Sequence, residues 1–132
     1  TGSLGAGAVT NNATLAFNRS DTVTVANAIS GTGAVTQIGA GTAVLTGANS
    51  YSGTTTIAAG TLQVGAGGTT GSLGTGAVVN NATLDFNRSN AMTVANAISG
   101  TGSVVQEGAG TTTLTGANTY SGTTTISAGT LQ

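Results

Sequence analysis

The sequence predicts an all-β protein, a parallel β-solenoid (β-helix) in which short strands stack coil upon coil. Three observations lead to this prediction. Residues 39–62 return as residues 108–131 after a shift of 69 residues, and about 50 of the 63 overlapping positions are identical. Apolar and polar residues alternate in short runs, which is typical of strands. Gly and Asn dominate the segments between the runs, where turns need them. Self-similarity at a fixed period indicates units that bury their apolar faces against each other.

The whole chain is made of two copies of one unit, residues 1–69 and 70–132. We expect them to form a single solenoid segment. Gln132 matches Gln63, and nothing follows it to match residues 64–69. We therefore expect the chain to be a fragment of a longer array.

Composition excludes several functional classes. Only 4% of the 132 residues are charged, while 38% are hydrophobic, which argues against a disordered chain. Arg19 and Arg88 are the only cations, so the Lys and Arg clusters that bind nucleic acid or anionic membranes are missing. The sequence contains no run of about 18 apolar residues, so no membrane-spanning helix is predicted.

The strands are predicted in order from their alternation. Residues 14–17 place Leu15 and Phe17 on one face, and residues 23–25 do the same for two valines. Four more runs follow in the first copy: 34–38, 42–46, 54–57 and 61–64. No helical stripe of period 3.6 is present.

Comparison of the two copies predicts which side chains face inward. Six apolar positions are unchanged and are predicted to line the core: Leu15, Phe17, Val35, Leu45, Ile57 and Leu62, with Leu84, Phe86, Val104, Leu114, Ile126 and Leu131. The altered positions between them are predicted to face outward, including Asp85 and Glu107, where a charge would be costly in a core. Gln37 and Gln106 fall on the inward parity, and we expect each to lie at a corner or to bond along the stack.

The spacing of Val9, Val35, Ile57 and Val78 predicts the coil length. Intervals of 21 to 26 residues indicate roughly three coils per unit and about six in all. Stacked strands lie about 4.8 Å apart, so the predicted rod is on the order of 30 Å long. Successive coils travel the same way round, which predicts parallel pairing.

Reactive chemistry is poorly represented, and no catalytic, cofactor-binding or metal-binding residue is predicted. The acids are Asp21, Asp85 and Glu107, and without His, Cys or Lys they form no standard nucleophile–base pair. The chain is therefore not expected to be an enzyme or to need a cofactor. A possible ligand-stacking surface consists of Tyr51, Tyr120, Asn49 and Asn118. The alternative for each tyrosine is a ring packed over a corner or against its neighbour.

The pattern of residues 39–63 and 108–132 resembles the autotransporter-associated β-strand repeat. The similarity rests on the order Leu-Thr-Gly-Ala-Asn, Tyr-Ser-Gly-Thr-Thr, Ala-Gly-Thr-Leu. That family occurs in passenger domains of bacterial type V secretion proteins. The resemblance implies a right-handed parallel β-helix on the surface of a Gram-negative cell, exported through a C-terminal membrane barrel outside this sequence. It implies no catalytic residues.

The leading functional hypothesis is a structural segment of a β-helical stalk or surface fibre. One alternative is an adhesin that binds glycan or host protein through exposed Thr, Asn and Tyr rows. Another is a filament subunit, since uncapped strand edges are templates for pairing with a second chain.

Overall fold

The structure, a computed structural model, describes residues 2–132. These residues form sixteen strands and no helix, which confirms the all-β prediction. The strands are β1 (Val9–Thr10), β2 (Thr14–Phe17), β3 (Val23–Val25), β4 (Ile29–Ser30), β5 (Ala34–Gln37), β6 (Thr42–Leu45), β7 (Thr55–Ile57), β8 (Thr61–Val64), β9 (Val78–Asn80), β10 (Thr83–Phe86), β11 (Met92–Val94), β12 (Ile98–Ser99), β13 (Ser103–Gln106), β14 (Thr111–Leu114), β15 (Thr124–Ile126) and β16 (Thr130–Leu131).

Every described strand pair is parallel, and the paired residues lie 19 to 23 positions apart in sequence. Each coil thus stacks on the next, in about six coils, as predicted. The chain visits three faces in turn. Face 1 holds β1 and β4, then residues 49–52 and 72–75, then β11, β14 and β16. Face 2 holds β2, β5, β7, β9 and β12. Face 3 holds β3, β6, β8, β10, β13 and β15.

The corners between faces are tight, and glycine makes them possible. Gly31 and Gly100 occupy equivalent corners with φ of 101° and 103°. A β-carbon at either position would overlap the carbonyl of Asn11 or Asn80 in the coil below. Glycine is therefore needed here both for its backbone conformation and for the close approach of two chains.

The 69-residue repeat occupies three coils and one additional face, rather than three whole coils. Val9 lies on face 1 and pairs with Ile29, whereas its counterpart Val78 lies on face 2 and pairs with Thr55 and Ile98. The proposed equivalence of Val9, Val35, Ile57 and Val78 is therefore wrong for Val9. Ile57 shares a face with Val35 and Val78 but lies two residues further along, between Gln37 and Asn80. The second repeat is turned by about one face, or about 120°, relative to the first.

The inward set predicted from the sequence forms the core. Eight of its twelve members are buried, and the remaining four, Leu15, Leu114, Ile126 and Leu131, lie at the two ends of the described stack. Ile126 is the most exposed of them, at 54%. The inward prediction is confirmed wherever coils lie on both sides.

Candidate functional site

The feature that recurs through the molecule is the contact between coils. On face 3, Ala43, Leu62, Leu84 and Val104 pair in register through four successive coils, and all four are fully buried. Burial stabilises each Leu or Val side chain by about 1.5–3 kcal/mol. Leu62 belongs to the first repeat and Leu84 to the second, so this column crosses the repeat junction without interruption.

Asparagines at the corners bond one coil to the next. The Oδ1 atom of Asn49 accepts from the Ile29 amide (3.0 Å), and its Nδ2 donates to the Ser72 carbonyl (2.7 Å). Asn118 accepts from the Ile98 amide in the same way (2.9 Å). Four pairs related by the 69-residue shift bond to a neighbouring coil: Asn11 and Asn80, Asn12 and Asn81, Asn27 and Asn96, Asn49 and Asn118.

Asn96 supports a position where the strand ladder is interrupted. No backbone hydrogen bond within the described residues joins β11 to residues 72–75 beneath it. Instead, Nδ2 of Asn96 donates to the carbonyls of Gly74 (2.8 Å) and Gly76 (2.6 Å). Asn27 makes the equivalent bonds in the first repeat. A side chain thus replaces ladder bonds that the backbone does not make.

The two inward glutamines lie at corners, one of the two predicted arrangements. Nε2 of Gln37 donates to the carbonyls of Gly39 (2.8 Å) and Gly41 (3.0 Å) within its own coil. Gln106 repeats the arrangement with Gly108 and Gly110. Each glutamine is almost fully buried and anchors the turn that follows its own strand.

Arg88 holds the loop that joins the two repeats. Its guanidinium donates to the carbonyls of Thr69 (2.7 Å) and Gly71 (2.9 Å). In the first repeat, Arg19 forms a two-pronged ion pair with Asp21 (2.7 and 2.5 Å). The Arg19 hydrogen bonds lower the pKa of Asp21 to about 2.

Asp85 is buried, although its outward position predicts a side chain in contact with water. It faces away from the core, as expected from parity, but only 6% of it is exposed. Gln63 and Val105 pair with Asp85 from the coils on either side. A side chain that points away from the core is therefore not always in contact with water, because the neighbouring coils lie directly above and below it.

The Asp85 carboxyl lies beside a second acid. This is Glu107, which is exposed and accepts a hydrogen bond from Nδ2 of Asn87 (3.2 Å). Burial first, and then Glu107, raise the pKa of Asp85 to about 7. Oδ1 of Asp85 is buried without a hydrogen-bond partner. Asp85 is therefore protonated well above the pH at which an ordinary Asp loses its proton. The counterparts in the first repeat are Ala16 and Ile38, so this arrangement occurs in only one of the two repeats.

The suggested ligand-stacking surface is divided between buried and partly exposed positions. Tyr51 is fully buried, and its hydroxyl bonds to Thr55 Oγ1 (2.8 Å). Burial raises the pKa of that hydroxyl. Asn49 is also buried, whereas Tyr120 and Asn118 are partly exposed near the last coil. A sugar cannot reach the Tyr51 ring in this arrangement, and ligand binding by the other two stays a prediction.

Within residues 2–132, no group of three or more His, Cys, Asp or Glu side chains is placed to hold a metal ion. No helix there is long and apolar enough to cross a membrane.

The comparisons with known proteins point to one family. The passenger-associated-transport-repeat matches residues 35–64 and again residues 104–132. No curated protein and no solved structure matches the chain significantly. The matched segments run from β5 to β8 and from β13 to β16, so each includes an inward glutamine and a corner asparagine described above. Two segments of the chain are thus similar to the passenger-associated-transport-repeat, in agreement with the autotransporter-associated repeat that the sequence resembles.

Proposed function

We propose that this chain is a structural segment of the stalk of a secreted, surface-exposed bacterial autotransporter passenger, without catalytic activity of its own. The observation that carries the proposal is the column from Ala43 to Val104, which continues in register across the junction between the two repeats. A stalk needs this continuity, because a weak junction would bend or open under load.

The short separation of paired residues supports the same role. Each coil pairs with partners only 19 to 23 positions away, so it can fold as soon as the next coil is available. A passenger that crosses a membrane as an extended chain can therefore fold one coil at a time outside the cell.

The geometry favours a stalk over an adhesin that reads one face. Tyr51 lies on face 1. Its counterpart Tyr120 lies on face 2, next to Thr119, whose amide bonds to the Ile98 carbonyl of β12. The repeated groups therefore do not form a row along the rod. A receptor that bound them would have to follow them around the axis.

Two experiments test the proposal. A protein with four repeats should be longer than one with two by roughly 16 Å for each added repeat, at about 4.8 Å per coil, when measured by small-angle X-ray scattering. A dimension that does not grow in this way would contradict a rod. On a glycan array we expect no reproducible binding. Binding that is lost in Tyr120→Ala but kept in Thr119→Ala would support the adhesin alternative instead.

A further inference from the structure

The segment of residues 69–76, between β8 and β9, has few backbone hydrogen bonds, and we call it the strap. Within the part of the chain that the structure describes, it makes a single backbone–backbone bond, from the Thr75 amide to the Tyr51 carbonyl (2.9 Å). Residues 49–52 lie on the same face one coil below, and three of their amides donate to backbone carbonyls of the next coil down. The strap is therefore an exception to the regular ladder of the rod.

Side chains supply the other hydrogen bonds that hold the strap. From below, Nδ2 of Asn49 donates to the Ser72 carbonyl (2.7 Å), and the Asn49 amide donates to Ser72 Oγ (2.9 Å). From above, Arg88 and Asn96 donate to four strap carbonyls at 2.6 to 2.9 Å, those of Thr69, Gly71, Gly74 and Gly76. A segment opens locally most easily where its buried contacts are few and its bonds are accessible to water.

The strap covers the ring of Tyr51 with little apolar surface of its own. A β-carbon on Gly74 would overlap that ring, so the backbone of the strap passes directly over it. Leu73 is the single apolar side chain in the strap, and it is buried. The other seven strap residues are glycine, serine or threonine. Apart from Leu73, the strap therefore has no side chain that anchors it by hydrophobic burial.

The strands on either side are held in place without the strap. β8 pairs with β10 over four residues, and β9 pairs with β7 over three. Neither ladder includes a strap residue. The rod therefore keeps its register on faces 2 and 3 when the strap is displaced from face 1.

We propose that the strap is a lid, which lifts as one unit from the intact rod and uncovers the ring of Tyr51. Asn49, Arg88 and Asn96 hold it closed through the bonds described above. In the closed arrangement Tyr51 is fully buried and no sugar can reach it. In the lifted arrangement the same ring is accessible from face 1.

Thiol labelling of the folded protein tests the proposal. The chain has no cysteine, so each variant carries one thiol. Leu73→Cys places it in the strap and Val78→Cys places it in β9, and both positions are buried. After correction for any difference in unfolding free energy, the strap thiol should react at least about tenfold faster. Its rate should also rise less steeply with urea, because lifting the strap exposes less surface than unfolding the rod.

Hydrogen exchange of the unaltered chain provides a second measurement, because Leu73→Cys itself shortens the apolar side chain of the strap. The amides of Thr75 and Val78 each donate one backbone bond of 2.9 Å. The Thr75 amide should exchange at least about tenfold faster than the Val78 amide, since it is freed whenever the strap lifts.

Two asparagine variants identify the bonds that hold the strap closed. Asn96→Ala should speed exchange of the Thr75 amide about tenfold, because two bonds to strap carbonyls are lost. Asn81→Ala is the control, since it removes a bond between coils outside the strap, to the Thr101 amide, and should change that exchange rate by less than about twofold. Equal exchange of the Thr75 and Val78 amides, with equal urea dependence of the two thiols, would show that the strap opens only with the whole rod and would overturn the proposal. The stalk proposal would be unaffected, because it depends on the column from Ala43 to Val104.

Discussion

Replacing Asp85 with Asn should stabilise the protein at and above neutral pH. In the folded protein, burial and Glu107 raise the pKa of Asp85 from 3.8 to about 7. The unfolded chain releases this proton near its ordinary pKa, so the folded state binds more protons between these values. Stability from the protonated carboxyl is therefore complete below about pH 4 and is lost progressively as the pH rises towards 7.

The magnitude follows from the same interval. Each pKa unit corresponds to about 1.4 kcal/mol, so the change from 3.8 to about 7 corresponds to at most about 4 kcal/mol. Glu107 is exposed, so water screens its charge and reduces the effect. We expect the wild type to lose about 2 kcal/mol of unfolding free energy between pH 4 and pH 8, and Asp85→Asn to recover most of that loss.

Urea denaturation at pH 4, 5, 6, 7 and 8 measures this effect. Asp85→Ala, which copies Ala16 of the first repeat, should flatten the pH profile in the same way as Asp85→Asn. Asp21→Asn is the control. The pKa of Asp21 is lowered in the folded protein, so its contribution to the free energy of unfolding changes with pH only below about pH 4. A wild-type stability that does not fall between pH 4 and 7 would refute the reasoning. So would an Asp85→Asn protein less stable than the wild type at pH 8.

Three further predictions concern the corners, and urea denaturation at pH 6 measures each of them. Gly39→Ala should destabilise the protein by more than about 3 kcal/mol, because the new methyl group would overlap the backbone of Arg19. Its control is Gly68→Ala, which has open space around it and should change stability by less than about 0.5 kcal/mol. Similar values for the two variants would contradict the corner geometry. Gln37→Leu should cost about 2 kcal/mol because it removes two buried bonds to corner carbonyls, and a stabilised variant would show that the apolar column dominates. Asn96→Ala should cost about 1–2 kcal/mol because the ladder beside it is interrupted, and a neutral result would mean that these bonds are replaced by water.

The fold was largely predictable from the sequence because two local rules combine. Period-two alternation gave the strands, and comparison of the copies separated inward from outward positions. Val35, Leu62 and Val104 are buried as expected. The rotation of the repeat was not predictable, because it depends on coil lengths that differ by a few residues. Thr55 pairs with Val78 after 23 residues, where most coils take 20. The longer coil contains the glycine-rich loop of residues 65–71.

The stabilising polar groups were only partly predictable. The corner asparagines recur at the 69-residue shift, so their repetition could have identified them as structural. Asp85 could not be placed correctly from parity, because its burial depends on Gln63 and Val105 in neighbouring coils. Those neighbours are identified only once the register between strands is known.

The fractional number of coils per repeat explains why the interior rather than any surface carries the repeated design. One face is gained per repeat, so a surface group returns to the same face only after three repeats, or ten coils. At about 4.8 Å per coil, equivalent groups on one face are roughly 48 Å apart. The core is not affected by this rotation, since every face contributes apolar side chains to the same stack. Leu62 on face 3 pairs with Leu84, and its counterpart Leu131 lies on face 1, where it pairs with Thr112 of the coil below. A substitution made at the same position of every repeat would therefore change the core in each repeat, but would change any one face only in every third repeat.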